Sequence, residues 1–164
     1  MRKNRLKIDL DATDLEMLRL LQGNAGLSNA ALGELLSLSV TPCWRRRKRL
    51  EEAGLIKDYQ ANLDRHLLGF DVLAFVHIRF GGHADNTPEL FEQAILALEE
   101  VLSCHKITGN ADYLLQVVAA DLQSYGEFIE NVLRKQHGII SIQSSLALRE
   151  IKSTHRLPVL ENLL

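Results

Sequence analysis

Cysteine, proline and long apolar runs are all scarce in this chain, and each scarcity removes a class of protein. The only cysteines, Cys43 and Cys104, are far apart and outside any C-x-x-C pair. They give no framework for a structural disulfide and fit a reducing cytoplasm. Three prolines in 164 residues leave no room for a proline-rich linker. No apolar run is long enough to span a bilayer. The start, Met1-Arg2-Lys3-Asn4-Arg5-Leu6-Lys7, has no apolar segment after it, so no signal peptide is expected.

Catalytic and metal signatures are missing too. No G-x-S-x-G, P-loop or G-x-G-x-x-G occurs, and Gly81-Gly82 lacks the strand-to-helix context that phosphate binding needs. Glu99 and Glu100 have no partner acid for a dyad. The six histidines, at 66, 77, 83, 105, 137 and 155, show no ligand spacing, and Cys104 and His105 point to opposite faces of a strand. No metal, no cofactor and no enzyme activity are expected.

What is present is apolar content and an uneven charge. A hydrophobic fraction of 46% suffices for one or two small cores. The net charge of −2 hides a split: up to residue 58 eleven Lys/Arg face eight Asp/Glu, and beyond it eight face thirteen. The front is therefore the electrostatic candidate for nucleic acid.

Five consecutive cations, Arg45 to Arg49, lie in Ser39-Val40-Thr41-Pro42-Cys43-Trp44-Arg45-Arg46-Arg47-Lys48-Arg49-Leu50. Thr41 can cap a helix here, Pro42 suits its first turn, and Gly54 ends it. Two shorter helices precede it, Asp11 to Gln22 with leucines at helical spacing, and Asn29 to Leu36 behind a Ser28 cap. A turn over Ser37 to Val40 completes a helix-turn-helix unit. On a helical wheel Cys43, Arg47 and Leu50 face inward, Trp44 and Arg46 flank the seam, and Arg45, Lys48 and Arg49 face outward. Trp44 is assigned to packing and Arg47 to the edge of the core. A charge run is ordinarily a solvated helix face, but the preceding turn and the lack of acids before Glu51 favour a groove contact. Arg45, Lys48 and Arg49 are the groove candidates, with Asn29 and Thr41 as phosphate partners.

After Gly54 the pattern changes. Leu55 to Leu63 looks extended and Asp64 to Gly69 looks like a turn. From Asp71 the period is two, with Val72, Ala74, Val76, Ile78 and Phe80 on one face and Leu73, Phe75, His77 and Arg79 on the other. A helix over Pro88 to Glu99, strands over Val101 to Ile107 and Asp112 to Ala119, a helix over Leu122 to Lys135 and a strand alternating from Ile140 to Leu148 follow. Strand, helix, strand, strand, helix, strand is the ferredoxin-like order. The fold class is α+β: a helix-turn-helix domain over 1–58, a linking strand and connector over 59–70, and a βαββαβ domain over 71–164. With helices on one sheet face only, Leu73 and Phe75 are left in water by a single chain, which calls for a symmetric dimer.

The connection Gly109-Asn110-Ala111-Asp112-Tyr113 combines glycine, amide, carboxylate and phenol. Such groups can hold the ammonium and carboxylate of an amino acid, and they equally make an ordinary hairpin.

The chain resembles the leucine-responsive regulatory protein (Lrp/AsnC) family of transcription regulators from Asp11 to Pro158. The residues that carry the likeness are Leu27-Ser28-Asn29, Thr41-Pro42-Cys43-Trp44-Arg45-Arg46, Arg49-Leu50-Glu51, Gly54-Leu55-Ile56, Cys104-His105, Gly109 and Asp112-Tyr113-Leu114-Leu115. The resemblance implies a cytoplasmic, nucleoid-associated regulator of double-stranded DNA. It implies chains that pair through their sheets, dimers that build tetramers or octamers, and an amino-acid effector near dimer-to-dimer contacts. Gly109, Asn110, Asp112 and Tyr113 match the family's effector-contacting loop. Asn110 stands where the family often has an acid, and Arg47 where it usually has an apolar residue. A chromosome-organising architectural protein, with a C-terminal domain for assembly alone, is the alternative reading.

Overall fold

The computed structural model describes residues 9–81 and 87–159, so Met1–Lys7, Gly82 and His83 of the sequence argument lie outside the described residues. Two compact units are present, Met1–Asn62 with Ser153–Leu164, and Leu63–Lys152.

The first unit holds α1 (Ala12–Gly23), α2 (Asn29–Leu36) and α3 (Val40–Glu52). Asp11 caps α1 in a full capping box: its carboxylate accepts from Asp14 N at 2.8 Å, and Asp14 Oδ2 accepts from Asp11 N at 3.0 Å. Ser28 caps α2 through Ala31 N, as its position predicts. Helix α2 ends on Ser37 in the left-handed region, φ 54°, and Leu38 N donates back to Gly33 O at 2.8 Å. A Cβ on Gly33 would stand 2.7 Å from the Leu38 carbonyl oxygen, so glycine is what lets the turn close.

That turn also corrects the start of α3. The helix begins at Val40, with extended Ser39 at the cap position, not with Thr41 as cap. Cys43 N bonds Ser39 O, which puts Pro42 third in the helix, where its missing N–H is still one of the unpaired first-turn donors. The core between the three helices is Met17, Leu21, Leu32, Cys43 and Leu50, with Leu27, Leu38, Leu55 and Ile56 packed against it.

Residues 153–159, expected in the second domain, belong to this first unit. Gln22 holds the tail like a β partner, accepting from Leu157 N at 2.6 Å and donating to Leu157 O at 3.1 Å. Arg19 reaches Val159 O and Arg156 reaches Gly23 O at the α1 C-terminus. Residues 59–70, expected as a linking strand and connector, carry no strand, because a strand needs a ladder partner and one chain supplies none here.

In the second unit, Asp64 builds the expected turn by accepting from His66 N and Leu67 N. The elements are β1 (Val72–Phe80), α4 (Thr87–Leu96), β2 (Val101–Lys106), β3 (Tyr113–Ala119), α5 (Leu122–Asn131), a 3-10 turn (Leu133–Lys135) and β4 (Ile139–Leu146). The antiparallel sheet runs β2-β3-β1-β4, the ferredoxin-like order. Helix α4 stops three residues short of Glu99, its chain passing into turn bonds Ala97 N to Ala94 O and Leu98 N to Ile95 O. Helix α5 gives way after Asn131 to the tighter 3-10 turn, which keeps Leu133 fully buried. β4 ends at Leu146, so Leu148 is fully exposed.

The core face carries Ala74, Val76, Ile78, Leu115 and Val117 under Phe91, Ile95, Tyr125 and Phe128. On the opposite face Leu73 is buried, contrary to expectation, beside its register partner Val118. Phe75, opposite Gln116 and Ser145, does stand out, at 38% exposure.

Candidate functional site

The five cations of α3 divide by what α1 and α2 offer them. On the flank toward α1, Asp14 is completely buried and receives two guanidinium groups. Arg46 Nη1 donates to Asp14 Oδ1 at 2.8 Å and Asp11 Oδ2 at 2.6 Å, and Arg49 Nη2 donates to Asp14 Oδ2 at 2.5 Å. Burial pushes the Asp11 carboxyl up, but the Asp14 N–H and the Arg46 guanidinium outweigh it and leave the carboxyl below its usual range. The hydrogen bond to Asp14, then that to Asp11, raises Arg46 above its ordinary value.

Arg49, a groove candidate, is 45% exposed and also forms half of a lock between α1 and α3. Arg46, expected at the periphery, is the other half. A wheel ranks residues by depth in the core but does not say on which flank the neighbouring helix lies. The available signal was the matched spacing of Asp11 and Asp14 with Arg46 and Arg49.

Arg47 serves the edge of the core, as its inner angle predicts. Its Nε donates to Glu51 Oε1 at 3.1 Å and Tyr59 Oη at 2.9 Å, and its Nη1 donates to Leu27 O at 3.0 Å. Tyr59 in turn donates to Glu51 Oε1 at 2.7 Å. The half-buried guanidinium is thus matched by three acceptors.

Thr41, Trp44, Arg45 and Lys48 remain at the surface. Arg45 has no ion-pair partner among the described residues, and Lys48 has only Glu52 at 3.7 Å. Trp44, assigned above to packing, is 48% exposed, with Lys48 Nζ 5.1 Å from its ring centre. Asn29, the first residue of α2, lines a shallow depression of about 360 Å³ with Trp44, Arg47, Lys48 and Glu51. Its Oδ1 is buried without a hydrogen-bond partner. One surface therefore gathers four of the five expected contacts, Asn29, Thr41, Arg45 and Lys48, and adds Trp44.

The loop between β2 and β3 divides as well. Gly109, at φ 115°, and Asn110 are exposed. Asp112 turns inward, its Oδ2 accepting from Phe80 N at 2.8 Å while its own N–H donates to Ile78 O. Tyr113 is buried among Phe80 and Phe91, and its hydroxyl donates to Glu92 Oε1 at 2.5 Å. Burial, then the Glu92 contact, raises its phenol well above the ordinary value. Two of the four expected effector contacts, Asp112 and Tyr113, are thus engaged in the fold. Alternation along a strand identifies Tyr113 as inward once its register with Ile78 is known.

Among the described residues no group of three or more His, Cys, Asp or Glu could hold a metal. No helix there is long and apolar enough to cross a membrane.

Comparison with known proteins gives two family matches: a winged helix-turn-helix DNA-binding domain over residues 10–57 and an Lrp/AsnC ligand binding domain over 73–157. The chain is 37% identical over 150 residues to the DNA-binding transcriptional activator DecR of Escherichia coli K12, covering 92% of this chain and 99% of that one. It is 34% identical over 157 residues to the leucine-responsive regulatory protein of the same strain, covering 96% of each. A transcriptional regulator of Neisseria meningitidis, solved as a complex with L-Met, superposes with a TM-score of 0.90 at 38% identity. That match covers 95% of this chain and 100% of the other.

Proposed function

Because the chain belongs to the Lrp/AsnC family of transcriptional regulators, we propose that it binds specific sites on double-stranded DNA through α3. An amino acid bound by its sheet domain changes its occupancy or assembly. The observation that carries this reading is the exposed face of Thr41, Trp44, Arg45 and Lys48 on a helix whose other cations are locked to α1 and to Tyr59. A helix that presents two cations and a hydroxyl beyond a tight turn is matched to phosphate and base edges. The protein acts in the cytoplasm, at the nucleoid, as a regulator without catalysis or cofactor.

Support for an amino-acid effector comes from the L-Met held by the Neisseria relative and from the exposed Gly109 and Asn110. Asn110 offers a neutral amide that can donate to a carboxylate or accept from an ammonium. The sheet face opposite the helices supports a homodimer. Phe75 is exposed there, and neighbouring His77 has a buried Nδ1 with no partner, both of which a second copy can cover. Dimers then assemble to tetramers or octamers, and the effector acts by preferring one assembly or one spacing of recognition helices.

Footprinting on genomic fragments, with and without each of the twenty amino acids, tests this. A few strong, palindrome-like sites with half-sites about 34 Å apart are expected, shifted by an amino acid that also raises the melting temperature. Shallow binding everywhere, unmoved by any amino acid, would make the protein an architectural one.

A further inference from the structure

An exposed indole on a DNA-facing helix needs an account that packing does not give. Trp44 is the only tryptophan of the chain, and half of its surface is open. Its neighbours explain its orientation but not its exposure. Cys43, one residue earlier, is fully buried. Lys48, one turn later, rests its ammonium 5.1 Å from the ring centre, and Asn29 with its unpartnered Oδ1 borders the same depression. The indole therefore sits between the outward face of α3, where Arg45 projects, and the first turn of α2.

The chemistry available on that surface is uneven. Arg45 can fork onto guanine edges, and Lys48, Thr41 and Asn29 suit phosphate oxygens. Their apolar surface is small, the single Thr41 methyl and the Lys48 stem, and neither offers the area of an indole face. The indole has a wide apolar face and a single N–H donor, so it is poorly matched to phosphate. The one apolar feature on the floor of a major groove is the C5 methyl of thymine.

We propose that Trp44 is a specificity-determining residue: its indole packs against a thymine methyl at the edge of each half-site, while the Lys48 ammonium stacked on it reaches the adjoining phosphate. This deepens the DNA-binding reading above and rests on it. The lysine holds the ring by cation–π attraction and brings its charge to the strand whose base the ring touches. Recognition of A·T pairs at that position follows without any hydrogen bond to the base.

The test uses the full-length protein and a duplex that it selects from a random library. Each thymine is replaced in turn by deoxyuridine, which lacks only the methyl group. The wild type should lose about fourfold in affinity at one thymine per half-site, the equivalent of one buried methylene. W44A should bind more weakly and show no further loss at that thymine, whereas W44F should keep part of the discrimination. In the unaltered protein, Trp44 emission should shift on saturation with the duplex. Equal thymine-to-uracil losses in wild type and W44A, or emission unchanged at saturation, would overturn the assignment while leaving DNA binding intact. Failure to select any sequence would overturn the DNA-reading itself, and this inference with it.

Discussion

Replacing Asp14 by alanine should cost the first unit more than removing either of the arginines that Asp14 holds. The carboxylate is completely buried and accepts three hydrogen bonds, from Asp11 N, Arg46 Nη1 and Arg49 Nη2. Two charge-assisted bonds at about 1.5 kcal/mol each, with about 0.5 kcal/mol for the cap, set an upper figure near 3.5 kcal/mol. Part of this is recovered, because Arg46 keeps Asp11 at 2.6 Å and Arg49, 45% exposed, can return to water. The expected loss is about 2–3 kcal/mol, below the range for a charge stranded in the interior. Arg49→Ala leaves Asp14 still paired to Arg46 and should cost about 1 kcal/mol. Urea unfolding followed by Trp44 emission reads the first unit alone, since no other tryptophan exists. With a slope of about 1.5 kcal/mol/M, the Asp14→Ala midpoint should fall by roughly 1.5 M. A double-mutant cycle of Asp14→Ala with Arg49→Ala should return a coupling of about 1 kcal/mol. A loss under about 0.5 kcal/mol for Asp14→Ala, or no coupling, would refute the lock.

Gly33→Ala gains about 1 kcal/mol of helix propensity, yet its Cβ would meet Leu38 O at 2.7 Å. The turn must shift, so a net loss of about 1–2 kcal/mol is expected by urea unfolding, with weaker DNA binding. Asp112→Ala should destabilise the second unit by about 1 kcal/mol through the orphaned Phe80 N–H and leave the amino-acid titration unchanged in calorimetry, whereas Asn110→Ala should weaken it. Tyr59, Tyr113 and Tyr125 all have phenols raised from 10.0, burial being the leading cause in each, joined by Glu51 at Tyr59 and by Glu92 at Tyr113. The stability they lend is complete below pH 10.0 and is lost as pH rises toward the folded-state values. Phenolate absorbance should therefore appear together with unfolding, and its full appearance in still-folded protein would contradict this.

What the sequence makes legible depends on whether the cue is local. Ser28 before Asn29, the leucines of α1, and the two-residue period from Val72 are set by neighbours in sequence, and the elements follow them closely. The start of α3 lies two residues earlier than a Thr41 cap implies, because Leu38 N closes on Gly33 O in a turn that leaves little room for a Cβ at position 33. Arg49, Asp112 and Tyr113 share a feature that residue type does not show. Each has a polar group whose partner lies far away in sequence: Asp14, Phe80 N and Glu92. Residue type shows that a group can bind a ligand, but not that the fold has already taken it. Trp44 is the reverse case, a residue type that usually packs but here stands half exposed. The tail at 153–159 follows Gln22, a contact across 135 positions that no periodicity records.

The central claim is that α3 meets DNA through Arg45 and Lys48 and not through Arg49. It is tested most directly by the salt dependence of operator affinity for Arg45→Ala, Lys48→Ala and Arg49→Ala. Each phosphate contact removed lowers the slope of log affinity against log salt by about 0.9. Lys48→Ala should show that drop, and Arg45→Ala should lose affinity by about 1–3 kcal/mol if it reads a base or show the same drop if it meets phosphate. Arg49→Ala should leave the slope at the wild-type value and reveal itself only in urea. A slope reduced by Arg49→Ala and untouched by the other two would contradict the account.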